Sequence, residues 1–224
     1  AEKAFIQKNL EGDLEFYAIA RMIRDYHKKG FSNSTKNIEY MKKLINEYES
    51  KFINPSYIDY LNEIKEDLAS FNFELSDLAL DTKLINHTGD TLTLRKIFAR
   101  SKKRIKVVDF WASWCPPCIT QIREGKPFKD RLSVENNVEW IYLSIDKNHQ
   151  QWLEKNKEFE HVLNFSNSFF ILNGKKSSLA KSLKVSWIPR YVIFNNKNKI
   201  ILNNAPSPSN NEYFERIIDE IDSK

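Results

Sequence analysis

Val107-Val108-Asp109-Phe110-Trp111-Ala112-Ser113-Trp114-Cys115-Pro116-Pro117-Cys118 runs from an apolar stretch straight into the only two cysteines of the chain. Ile105–Phe110 reads as a buried core strand, and a helix is expected from Cys115 to about Leu132. Two thiols so placed can bond to each other, to a metal or to another molecule. A structural zinc site wants four ligands, and there is no second CxxC; His27, His87, His149 and His161 show no paired ligand spacing. A structural disulfide across two residues closes a tiny loop and stabilises little. Redox chemistry is the reading that remains, with no metal and no cofactor expected.

Working outward, the period of the sequence changes near Leu80. From there, Thr82–Asn86 and Thr91–Leu94 flank His87-Thr88-Gly89-Asp90 as a hairpin. Arg95–Ala99 reads as one helical turn and Val138–Ile145 as a second core strand. Gln150–Lys157 and Ser177–Lys184 read as helices separated by the apolar Phe169–Leu172. Tyr191–Phe194 and Lys199–Leu202 form a second hairpin, and Glu212–Ile221 a closing helix. Strands alternating with helices imply an α/β sheet with crossover connections. Residues 1–79 instead read as helical. Ile6, Leu10, Leu14, Tyr17, Ile19, Ile23 and Tyr26 recur at three- and four-residue intervals, up to a stop at Lys28-Lys29-Gly30. A second helix is expected from Thr35 to Phe52, and a third, opened by Asn54-Pro55, carries Tyr57, Tyr60, Leu61, Ile64, Leu68 and Phe71.

Hydrophobic content of 41% and charge of 29% are those of an ordinary globular protein. No stretch approaches the roughly 20 apolar residues of a membrane-spanning helix, and no apolar core of a signal peptide follows Ala1–Ala4. Residues 1–80 carry 11 basic and 14 acidic side chains, the remainder 24 and 16. The compact run Lys102-Lys103-Arg104-Ile105-Lys106 has no interleaved aromatics and reads as a solvated turn, so no nucleic-acid partner is expected.

At a helix N-terminus, backbone N–H groups and the helix dipole favour a Cys115 thiolate. Each unit of pKa depression corresponds to about 1.4 kcal/mol. Pro116 and Pro117 have no N–H, so the donors are expected from Cys118 and Ile119. Cys118, one turn in and more buried, is then the resolving thiol. Asp109, a carboxylate in an apolar strand six residues before Cys115, is expected to be buried, raised in pKa and able to take the Cys118 proton. In Trp187-Ile188-Pro189, before the strand Tyr191–Phe194, a cis Ile188–Pro189 bond is the sharper expectation and a plain strand-start proline the simpler one.

Val-Val-Asp-Phe-Trp-Ala-Ser-Trp-Cys-Pro-Pro-Cys, followed some seventy residues later by Val-Ser-Trp-Ile-Pro-Arg-Tyr-Val-Ile-Phe, resembles the thioredoxin fold over about residues 80–221. Within it the chain resembles the TlpA/ResA-type extracytoplasmic thiol–disulfide oxidoreductases. The hairpin Thr82–Leu94, an insertion over roughly Asn148–Leu172 and the segment Asn204–Ser209 are the matching pieces. Residues 1–79 lie outside this match and stand as a separate helical region; the resemblance implies a thioredoxin-like domain over 80–224, with a central mixed sheet flanked by helices. It implies Cys115 as nucleophile, Cys118 as resolver, Asp109 as buried acid, and a cis-Pro189 packed over the disulfide. Trp114, Pro116, Pro117 and Ile188 would border the bound peptide. Protein disulfides would be the substrates, an upstream thiol the electron donor, and the periplasm or cell envelope the compartment. Two departures stand out: Tyr142 occupies the strand position where thioredoxins place a lysine near the buried acid, and no glycine lies in Leu202–Asn204 beyond the second hairpin. Residues 1–79 are open to three roles: packing accessory, homodimerisation arm or partner-binding scaffold. A thiol peroxidase is disfavoured because no Pro-x-x-x-Thr/Ser-x-x-Cys context surrounds either cysteine.

Overall fold

The computed structural model describes residues 2–28, 35–51, 61–62, 64–66, 68–69, 74–209 and 211–222. The chain divides into two compact units, Ala1–Asn72 and Phe73–Lys224. In the first, α1 (Glu2–Asn9) and α2 (Gly12–Lys28) replace the single helix expected, and α3 spans Thr35–Lys51. The break lies at Leu10-Glu11, followed by Gly12 at φ 58°, a left-handed conformation that glycine adopts without a Cβ clash. The break resets the helical phase. Leu14 and Tyr17 are therefore exposed, while Phe16, Ile19 and Ile23 are buried with Ile38, Met41, Ile45 and Tyr48 of α3. The Gly30 stop and the Asn54-Pro55 start, with Tyr57, Tyr60 and Phe71, lie outside the described residues; Leu61, Ile64 and Leu68 of the third helical stretch are buried.

The second unit is built on one seven-stranded sheet in the order β2-β1-β5-β4-β3-β6-β7. Its strands are β1 (Lys83–Ile85), β2 (Thr91–Thr93), β3 (Ile105–Trp111), β4 (Val138–Ser144), β5 (Ser168–Ile171), β6 (Arg190–Phe194) and β7 (Ile200–Ala205). β3, β4 and β5 run parallel, and β6 lies antiparallel on β3. Every residue of β3 is buried, which is why its sequence is a near-continuous apolar run rather than an alternating one.

The helices are α4 (Asp77–Leu80), α5 (Leu94–Arg100), α6 (Pro116–Glu124), α7 (Lys126–Glu135), α8 (His149–Glu158), α9 (Ser178–Ser182) and α10 (Asn211–Asp222). The crossovers β3-α6-α7-β4 and β4-α8-β5 step in the same direction across the sheet, so right-handed connection puts their helices on one face. Trp140 of β4 stacks on Phe214 of α10 there, and Ser168 of β5 donates to Asn156 of α8. The return β5-α9-β6 uses the other face, where Phe98 of α5 meets Phe194 edge-on.

The helix expected from Cys115 to Leu132 is two helices. Pro127 has no N–H for the carbonyl of Arg123, and its ring clashes with that carbonyl, so a continuous helix cannot pass. Gly125 allows the bend: a Cβ there would lie 2.6 Å from the Gln121 carbonyl oxygen.

Candidate active site

The turn after β3 delivers Cys115 to the N-cap of α6, in extended conformation, joined to Cys118 by a disulfide. Pro116 and Pro117 fill the first two helical positions, where a missing N–H costs nothing. The Cys118 N–H donates to Cys115 Sγ at 3.3 Å. The Ile119 N–H, expected to help, is instead taken by the Cys115 carbonyl at 3.1 Å, the first bond of the helix. Cys115 is 4% exposed and Cys118 1%, whereas Trp114, Pro116 and Pro117 face solvent.

The register β3–β6 sets Phe110 against Arg190, so the residues leaving β3 and those entering β6 share one end of the sheet. Ile188 and Pro189, half-buried and joined by a cis peptide, lie in the segment entering β6. Arg190, just after them, is buried. Its Nε donates to the Asn203 carbonyl at 2.9 Å, and the guanidinium lies 5.1 Å from the Trp187 ring centroid. Burial pulls its pKa down to about 10. Asn203, in the stretch without glycine, is buried and donates to the Leu183 carbonyl, so this stretch braces the end of α9.

Asp109 is 1% exposed. Its Oδ2 accepts from Lys129 Nζ at 3.0 Å, and among the described residues its Oδ1 has no partner. Burial pushes its pKa up against the opposing pull of Lys129. The lysine expected to be missing is therefore present, brought by α7 rather than by the strand. Tyr142 does stand beside Asp109 in register, but as part of an aromatic box: the Lys129 ammonium lies 4.8 Å from the Tyr142 ring, 5.0 Å from Trp140 and 5.9 Å from Tyr191. Burial opposes the charge of Lys129, yet Tyr142 and Asp109 together raise its pKa. A cleft of about 370 Å³ includes Lys129 and Tyr142 in its lining. Lys129 carries a sequence signal: with Phe128 and Leu132 it occupies the inward stripe of α7, a cation where an apolar residue belongs.

A second buried carboxylate escaped the sequence reading. Asp146, 1% exposed, accepts from the Ser113 N–H at 2.9 Å, the Ser113 hydroxyl at 2.7 Å and the Ser144 hydroxyl at 2.6 Å. It ties the end of β4 to the turn that carries Cys115. An acid directly after an apolar strand, two residues beyond a serine, is the only trace it leaves in the sequence.

The family model described as Redoxin matches residues 74–217. Over 69 residues the chain is 32% identical to thioredoxin H4 of Arabidopsis thaliana; the match takes in 31% of this chain and 55% of that protein, so the chain spans about half the length of the curated relative it matches. Among solved structures, an uncharacterised thioredoxin-like protein from Porphyromonas gingivalis superposes with a TM-score of 0.52 at 19% identity, covering 69% of this chain and 95% of that one. The thioredoxin domain of a thiol-disulfide oxidoreductase from Bacteroides vulgatus gives 0.51 at 14% identity, covering 67% and 99%. At these identities the likeness is one of fold: a thioredoxin-like mixed sheet with flanking helices.

Proposed function

The chain belongs to the Redoxin family, and we propose that it is a thiol–disulfide oxidoreductase that reduces disulfides of extracytoplasmic proteins. The carrying observation is the Cys115–Cys118 pair at the start of α6, with Cys115 Sγ already accepting the Cys118 N–H. In the reduced protein, a Cys115 thiolate gains that hydrogen bond and the dipole of the helix. It attacks one sulfur of the substrate disulfide, forming a mixed disulfide and releasing the first substrate thiolate. The Cys118 thiol then gives its proton to Asp109 and attacks Cys115 Sγ. This releases the second substrate thiolate and closes the Cys115–Cys118 bond. An upstream thiol donor returns the two electrons. Trp114, Pro116, Pro117, Ile188 and Pro189 border the bound peptide in this reading. The extracytoplasmic assignment rests on the likeness to the TlpA/ResA type and on the compartments in which protein disulfides persist.

A Cys118→Ala variant tests the scheme, because its mixed disulfide at Cys115 cannot be resolved. Incubation with a disulfide-bonded protein is expected to yield a covalent complex that reductant releases. The double variant Cys115→Ser, Cys118→Ser is expected to lose all disulfide reduction. Adducts formed at Cys118 when Cys115 is replaced, with none at Cys115, would reverse the two roles.

A further inference from the structure

Four segments meet at the sheet end that carries Cys115: 112–118 after β3, 145–147 after β4, 173–176 after β5 and 184–190 before β6. The bonds that gather them are short-range and specific. The Ile145 N–H donates to the Trp111 carbonyl at 2.9 Å, and Asp146 clamps Ser113. Gly174 packs so closely on β4 that a Cβ would lie 2.9 Å from the Ile145 carbonyl oxygen. Lys175 Nζ donates to the Ser186 carbonyl at 2.8 Å.

These segments carry charge of one sign. Lys147, Lys175, Lys176 and Lys184 are exposed on them, and Arg190 lies behind Trp187. Their one acid, Asp146, is buried, with both oxygens engaged by Ser113 and Ser144. The bias reaches further along the chain: residues 161–211 contain 7 Lys/Arg and no Asp or Glu. Two tryptophans stand out of the same segments, Trp114 at 58% exposure beside Cys115 and Trp187 at 51% beside Ile188. Large exposed aromatics rimmed by polar groups mark surfaces that a partner covers. Exposed cations project an attractive field over about 8 Å at physiological salt.

We propose that this rim is a docking surface for an acidic, extended segment of the substrate polypeptide. Carboxylates flanking the substrate's disulfide meet Lys147 and Lys175, and an apolar side chain of the same segment lies on Trp187, whose ring the Arg190 guanidinium backs. A polypeptide is favoured over other polyanions because the reactive disulfide sits among these residues, so whatever they hold must present a sulfur. The proposal rests on the thiol–disulfide reading and narrows its substrate class.

The test uses the full reduced protein and two peptides with the same internal disulfide and central tryptophan, one flanked by glutamates and one by lysines. The glutamate peptide is expected to be reduced faster in kcat/KM by about tenfold at low salt, the advantage fading toward unity by about 0.5 M salt. Lys147→Glu combined with Lys175→Glu is expected to reduce or invert the ratio; taking the ratio within one variant cancels any general loss of folded protein. Equal rates, or a preference for the lysine peptide, overturn the proposal. Binding to anionic vesicles with no peptide preference overturns it too, and assigns the rim to a lipid surface. 2-Hydroxyethyl disulfide separates the two levels: no turnover of it by the unmodified protein fells the thiol–disulfide reading itself, whereas turnover with equal peptide rates fells only the docking surface.

Discussion

Asp109 and Lys129 respond to the same burial in ways that make stability depend on pH. The folded-state pKa of Asp109 is raised by burial, so the fold holds that proton more tightly than the unfolded chain does. The resulting stability is present below the ordinary carboxylate range and is lost as pH rises through the raised folded value. The ionised carboxylate is thus a standing cost at neutral pH, moderated by Lys129. Asp109→Asn is expected to remove this downward slope from urea-unfolding stabilities measured between about pH 4 and pH 9. Curves for the two proteins that run parallel would sink the assignment. Lys129→Met alone leaves the carboxylate unpaired and is expected to destabilise by about 3–5 kcal/mol at neutral pH. Adding Asp109→Asn to it is expected to recover part of that loss, since the unpaired buried charge is then gone. Both variants that lack Asp109 should resolve the mixed disulfide about 10²–10⁴-fold more slowly, the usual contribution of a general base. Asp109 was legible in the sequence as a lone carboxylate in an apolar run, and Cys115 and Cys118 by their spacing. Lys129 and Asp146 leave only a misplaced charge in the sequence, and neither could be assigned to the site, because each acts on it from a separate element and nothing local says which elements will meet.

At the scale of elements, legibility followed the length of the apolar signal. β3 and β4 are continuous runs and were placed to within a residue, as was α10. The two failures, α1/α2 and α6/α7, share a cause. The periodicity of the flanking residues survives a break, so a single helix fits the pattern until the turn residues are weighed against it. At α6/α7 the break has a function: it sets the phase that turns Lys129 inward, toward β3. Gly125→Ala puts its Cβ within 2.6 Å of a backbone oxygen that no side-chain rotation can move. A cost of about 1–3 kcal/mol is expected in chemical denaturation, in the range of forced overpacking. Because α7 must shift to relieve the contact, the Lys129–Asp109 distance should change with it, and the pH slope of stability should differ from that of the unmodified protein. A Gly125→Ala variant as stable as the original would mean that the bend is set by Pro127 alone.

For the whole molecule, the tryptophans give a natural probe of its two-unit organisation. All five lie between Trp111 and Trp187, within the Phe73–Lys224 unit, and the Ala1–Asn72 unit has none. Tryptophan fluorescence therefore reports the thioredoxin-like unit, while far-UV circular dichroism also registers the helices α1–α3 of the other. Each unit has its own buried apolar set, Ile19, Ile23, Met41 and Ile45 in the first and Val107, Phe110, Ile141 and Val192 in the second. Units that unfold independently give curves that do not coincide, because two-state behaviour then holds for each unit and not for the chain. We expect the dichroism curve to show a transition that fluorescence lacks, and dithiothreitol to shift the transition seen by both probes while leaving that extra one in place, since both cysteines are in the second unit. Superimposable curves under both conditions would mean that the helical unit and the redox unit form one cooperative body. A change at Cys115 would then be felt as far as α1, and the helical unit would have to be counted as part of the redox machinery.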